Sequence, residues 1–169
     1  MEGVAPLTWA CFFGLTEAVG RMLEDFPAEA RAAAAPAFAQ ACRNGHVAIL
    51  RLLAERYPAD VRGEVGRALM EACRGQRSGV ARFLVGSFPE QARGAVARRD
   101  AQDLTTPLYW ACRHGHAGLA RQLLEAFPEE APAALRWEDR GGRTALAWAC
   151  DEGHEAVVRL LLPRLAEGP

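Results

Sequence analysis

The 169-residue sequence has no lysine: all 20 of its basic residues are arginine. Isoleucine and asparagine occur once each, as Ile49 and Asn44, and serine twice, as Ser78 and Ser87. Neither serine has the Gly-x-Ser-x-Gly surroundings of a nucleophile elbow, and no glycine-rich phosphate loop is present. No run approaches about 18 apolar residues, so no segment is expected to span a bilayer. The first residues lack the basic-then-apolar layout of a signal peptide, and no transit peptide is evident. The net charge of −1 lacks the basic surplus on which nucleic-acid affinity rests. Half the residues are apolar, which excludes a disordered chain and fits one domain over residues 1–169. Alanine makes up about a fifth of the chain. A coding bias toward Ala, Arg, Gly and Pro accounts for that composition; selection of arginine for bidentate anion binding is the alternative.

The cysteines reveal the organisation. Cys11, Cys42, Cys73, Cys112 and Cys150 each follow an alanine, at intervals of 31, 31, 39 and 38 residues. Aligning the chain on these dipeptides brings an apolar residue to every position seven, eight, eleven and twelve after the cysteine. Ile49, Leu50, Leu53 and Ala54 are one such set, and Leu119, Ala120, Leu123 and Leu124 another. This spacing places one apolar stripe on a helix. The Ala-Cys pair belongs to an earlier helix, with Leu7, Leu108 and Leu146 completing its apolar face in three units. Gly14, Gly45, Gly115 and Gly153 then stand where a positive φ would end that helix. The third unit departs, with Gln76 in the glycine slot and Gly75 one position early. The pairs Phe26-Pro27, Tyr57-Pro58, Phe88-Pro89 and Phe127-Pro128 stop the second helix in four units. Their aromatics are expected to fill the seams between units. The fifth unit lacks the pair and has Pro163 earlier.

The run Thr106-Pro107-Leu108-Tyr109-Trp110-Ala111-Cys112-Arg113-His114-Gly115-His116 resembles an ankyrin repeat, as does Thr144-Ala145-Leu146-Ala147-Trp148-Ala149-Cys150-Asp151-Glu152-Gly153-His154. Ala5-Pro6-Leu7-Thr8-Trp9-Ala10-Cys11 is similar, and Asp139-Arg140-Gly141-Gly142 resembles the family's inter-repeat turn. The resemblance extends over five degenerate units, about 5–34, 35–65, 66–104, 105–142 and 143–169. It implies an all-α solenoid of helix-turn-helix repeats with short or absent β-hairpin fingers. The family's first-helix His slot holds Thr8, Ala39, Met70, Tyr109 and Ala147, so its usual hydrogen bonds are expected to be missing. The 31-residue intervals leave little chain for fingers, whereas 93–105 and 131–143 leave room for long ones; 28–35 is expected to make a short helical turn. His46, His116 and His154 open the second helix, where the family's histidine bonds backbone groups and ties the turns together.

Equivalent cysteines of stacked helices stand about 10 Å apart, beyond the roughly 7 Å Cα separation of a disulfide. No pair has the C-x-x-C spacing of a zinc site. Five buried, reduced thiols are therefore expected, with no cofactor and no metal. They fit an intracellular, reducing compartment: the cytoplasm, or an organelle if a presequence has been removed. Arg51, Arg82, Arg121 and Arg159 form a row opposite the apolar stripe and are expected to be solvated on the outer surface, as is the acidic cluster Asp151, Glu152 and Glu155.

On each first helix, residues two before, one after and two after the cysteine share a face turned from the core. The resemblance makes that face a concave, partner-binding groove. It carries Trp9, Phe12 and Phe13, then Gln40, Arg43 and Asn44, then Glu71, Arg74 and Gly75, then Trp110, Arg113 and His114, and finally Trp148, Asp151 and Glu152. The groove runs from aromatic through basic to acidic. Half-burial of Trp110 and Trp148 against neighbouring units is the competing expectation. Neither end of the stack has a polar cap, so docking of an end face, or continuation into a longer repeat array, is also open. The sequence thus points to a non-enzymatic protein–protein interaction module. It would serve as an adaptor or docked accessory subunit, without nucleic acid or membrane span. A structural subunit held by its end faces in a larger complex and a thiol- or metal-dependent activity are the alternatives.

Overall fold

The structure, a computed structural model, describes residues 5–101 and 104–166. Helices α1 (Pro6–Phe13) and α2 (Thr16–Asp25) form the first unit, and α3 (Pro27–Asn44) and α4 (Val47–Arg56) the second. A short α5 (Pro58–Val61) and a 3-10 turn (Arg62–Glu64) lead into α6 (Val65–Arg74) and α7 (Ser78–Ser87). Then come α8 (Pro89–Val96), α9 (Pro107–Arg113), α10 (Ala117–Ala126), α11 (Glu130–Leu135), α12 (Ala145–Asp151) and α13 (Glu155–Ala166). The first helices α1, α3, α6, α9 and α12 pack in one row, and the second helices α2, α4, α7, α10 and α13 in another. Among the described residues there is no strand.

One backbone motif recurs in every unit. The carbonyl of the alanine before each cysteine accepts from the N–H of the residue four after that cysteine: Leu15, His46, Arg77, His116 and His154, at 2.8–3.0 Å. Such a wrap requires one left-handed residue. Gly14, Gly45, Gly115 and Gly153 supply it with φ of 71–85°. In the third unit Gln76 itself takes the left-handed position, with φ 60°, while Gly75 stays at negative φ. At the other end of each second helix, Phe26, Tyr57, Phe88 and Phe127 adopt nearly one conformation, φ −131 to −136° and ψ 54 to 65°. The proline that follows bars the helical region for these residues. The same proline opens the next helix at Pro27, Pro58 and Pro89, where its missing N–H costs nothing.

The apolar stripe is wholly buried in the third and fourth units and erodes at the ends, where Leu162 is 52% exposed. The cause is the stacking itself: each unit is covered by its neighbours. The same cause corrects two expectations. Tyr57, Phe88 and Phe127 are buried in seams, but Phe26 is 58% exposed, because no described unit lies before it. Four cysteines are buried, but Cys150 is exposed, because no described unit follows it.

Two further expectations are corrected. Residues 28–35 do not form a separate turn; they belong to the continuous α3, which passes through Pro36. The boundary placed between residues 34 and 35 therefore lies inside one helix. The long projections expected at 93–105 and 131–143 are partly helical, since α8 and α11 occupy their starts. Gln102 and Asp103 of the first lie outside the described residues. Pro163 lies inside α13, which continues to Ala166 with the proline ring on the solvent side.

Candidate functional site

The open face of the first helices carries the residues singled out from the sequence, and the structure links many of them across units. In α1, Trp9, Phe12 and Phe13 pack on one another with ring centroids 5.0–5.9 Å apart. They remain 50, 41 and 62% exposed. In α3, Asn44 donates to the Gln40 carbonyl at 2.9 Å, and Arg43 reaches across to Glu71 of α6 at 3.1 Å. Arg74 pairs with Asp100 and lies 5.7 Å over the ring of Trp110 in α9.

From there the face becomes a ladder of alternating guanidinium and indole. Arg113 lies 5.1 Å over Trp110 and 4.0 Å over Trp148, and Arg143 lies 4.6 Å over Trp148. His114 stacks on Trp110 with centroids 5.4 Å apart. Each such cation–π contact contributes about 0.5–2 kcal/mol. Arg143 also pairs with Asp151 at 2.7 Å, whereas among the described residues no carboxylate pairs with Arg113. Glu152 is exposed at the end of the row, and Gly75 is exposed with no side chain to offer.

The ladder is set in place by one carboxylate in the turn before α12. Asp139 accepts from the Tyr109 hydroxyl at 2.6 Å, the Trp148 indole N–H at 2.9 Å, and the backbone N–H groups of Gly141 and Arg143 at 2.8 and 3.0 Å. Desolvation opposes its charge, but these four donors outweigh that and hold its carboxyl well below the usual range. Burial, then the bond to Asp139, pushes the Tyr109 phenol up, so it stays a donor. In the slot where the family has its histidine, Tyr109 thus makes a hydrogen bond of its own, to Asp139. Trp110 is held likewise, its indole N–H donating to Thr105 Oγ1 at 2.9 Å. Trp110 and Trp148 are both half-buried, so their N–H edges are spent inside the fold and only ring faces and guanidinium edges remain for a partner.

Of the three turn histidines, two bridge units as expected. His46 Nε2 meets the Phe12 carbonyl at 3.2 Å, and His154 Nε2 the Arg113 carbonyl at 3.0 Å. Their rings lie so close to the preceding turns that a Cβ on Gly14 or Gly115 would come within 2.6–2.7 Å of them. His116 breaks the pattern: the Arg74 backbone is engaged by His114, and His116 Nε2 is buried with no partner. Desolvation lowers both His114 and His116, with neighbouring histidines adding to it.

Residues 90–168 match the family model for ankyrin repeats (3 copies). Residues 90–168 are thereby shown to be ankyrin repeats. That match covers just under half of the chain, in the region where the sequence pattern is sharpest. The units before residue 90 share the recurring turn wrap and the paired helix rows with the matched ones. No curated protein matches the chain.

No group of three or more His, Cys, Asp or Glu among the described residues could hold a metal ion. The row Arg51, Arg82, Arg121 and Arg159 is exposed, with Arg51 5.6 Å over Phe83 and Arg159 bonded to Glu155 at 3.0 Å. Sequence reasoning missed Asp139 as an organiser and Arg143 as a rung of the ladder. Nothing in their spacing from the cysteines marks them, because they lie in the inter-repeat turn.

Proposed function

We propose that this ankyrin-repeat chain is a non-enzymatic interaction module, an adaptor or docked accessory subunit, that takes a protein partner on the open face of its first helices. Ankyrin repeats generally mediate protein–protein interaction. The observation that carries the proposal is the Trp9, Phe12 and Phe13 triad, three large rings left exposed side by side. Covering each on a partner is worth about 1.5–3 kcal/mol, enough to make the triad a hot spot. Among the described residues no helix is long and apolar enough to cross a membrane.

A second reading has its own support. Phe26 at one end and Leu162 and Cys150 at the other are exposed positions whose counterparts in the third and fourth units are buried. They favour a structural subunit held by its end faces.

Cross-linking and mass spectrometry of the natively purified chain separate the two. Links from the first-helix face to one stoichiometric protein, lost in a Trp9→Ala/Phe12→Ala/Phe13→Ala variant, are the expected result. Links confined to the two ends and indifferent to that variant would replace the proposal with the second reading.

A further inference from the structure

The surface beside the indole ladder narrows the chemistry of the partner. Between α6 and α8 lies an open groove of about 730 Å³, lined by Arg62, Arg67, Arg74, Arg98 and Arg99. Only two carboxylates line it, Glu71 and Asp100, and both are engaged, by Arg43 and Arg74 respectively. Arg67 pairs with Glu64, and Arg99 lies 5.6 Å over Trp137. Arg62 and Arg98 are exposed, and among the described residues neither pairs with a carboxylate. A smaller cavity of about 230 Å³ follows on the same face, walled by Tyr109, Trp110, Arg113, Arg140 and Asp139, whose carboxylate is taken up by its four donors. Arg74 joins the two, lining the groove and lying over Trp110. The cationic surface is thus continuous from Arg62 and Arg98 to Arg113.

We propose that this track seats an acidic peptide segment of the partner, whose Asp and Glu side chains pair with Arg62, Arg98 and Arg113; the proposal rests on the protein-binding function above. A guanidinium offers a planar fork that a carboxylate fills bidentately. Arg113 is already held between two indoles, so less side-chain freedom is lost when it binds. The all-arginine composition, whatever its origin, gives every cation of the track this geometry. A nucleic acid fits less well. Its charge repeats along the whole strand, whereas this track is bounded by Asp151 and Glu152 beyond the ladder and by the uncharged triad of α1 at the other end. A peptide can place carboxylates only where the arginines are.

Fluorescence anisotropy with a labelled peptide of alternating glutamate and leucine tests the proposal. Its glutamine counterpart, an oligothymidylate, and the charge-matched outer-face variant Arg51→Gln/Arg121→Gln serve as controls. The glutamate peptide is expected to bind about tenfold more tightly than the glutamine peptide, and to weaken by about tenfold in Arg62→Gln/Arg98→Gln and in Arg113→Gln. Arg62 and Arg98 are exposed, so the first variant keeps its fold, which an unchanged melting curve verifies. The outer-face variant should bind as the parent does. Equal binding of the two peptides, or equal loss in the outer-face variant, overturns the proposal; tighter binding of the oligothymidylate reassigns the track to nucleic acid. The same variants belong in the cross-linking experiment. A partner retained by Arg62→Gln/Arg98→Gln but lost by the aromatic variant would sink the acidic track and leave the protein-binding function standing.

Discussion

At the scale of single residues, the same side chain in five equivalent positions meets different surroundings, and the cysteines show it best. Burial pushes the thiols of Cys11, Cys42 and Cys112 up to about 12, and raises Cys73 as well. None of these four supplies a thiolate at neutral pH, and all are shielded. Cys150 is exposed. A thiol-reactive chromophore added to the native chain should therefore modify one cysteine quickly and the other four only on unfolding, with peptide mapping placing the fast one at Cys150. Two or more fast thiols would mean that an inner seam opens. Sequence position made the five cysteines look alike; among the described residues only Cys150 has no further unit packed over it.

At the scale of the element, the recurring turn is where a local conformation is demanded irrespective of side-chain preference. A non-glycine residue held left-handed loses roughly 1–2 kcal/mol. Gln76 stands there in the third unit. Replacing it by glycine removes that strain at the expense of a more flexible unfolded chain, so a net gain of about 0.5–1 kcal/mol is expected. A higher urea midpoint with an unchanged slope would show it. The reverse changes should not be equal. Gly153→Ala meets open space and suffers only the backbone strain, whereas Gly115→Ala also drives its Cβ into the His154 ring. Gly115→Ala should be the more destabilising of the two by urea denaturation. Equal losses would indicate that the His154 ring moves aside freely.

At the scale of the whole molecule, the seams between units couple stability to pH. Desolvation lowers His114 and His116 in the folded chain, so the unfolded chain binds protons more readily than the folded one. Their contribution is complete above the ordinary histidine value of 6.5 and is lost as pH falls below it toward the folded values. Asp139 is lowered too, and its contribution is lost in a separate range, below the ordinary value of 3.8. The melting temperature should be level between about pH 7 and 8, drop first as pH falls below about 6.5, and drop again below about pH 4. His116→Gln should lessen the first drop, leaving the share of His114, and should not change the second. A melting temperature that rises on acidification through pH 6 would contradict this.

The sequence by itself determined the repeat, because periodic burial leaves a periodic pattern. Ala-Cys, the turn glycine and the i, i+1, i+4, i+5 stripe are each demanded by local geometry, so each is legible without neighbours. The aromatic-proline stops are legible for the same reason, since proline acts on its own chain. What covers a residue is not local. The exposure of Phe26 and Cys150, the run of α3 through Pro36, and the seating of Trp148 and Tyr109 on Asp139 were settled by units far apart in sequence. The open face was readable as a list of residues, Trp110 and Arg113 among them. That Arg74, Arg113 and Arg143 interleave with two indoles into one surface was decided only when stacking brought successive repeats side by side.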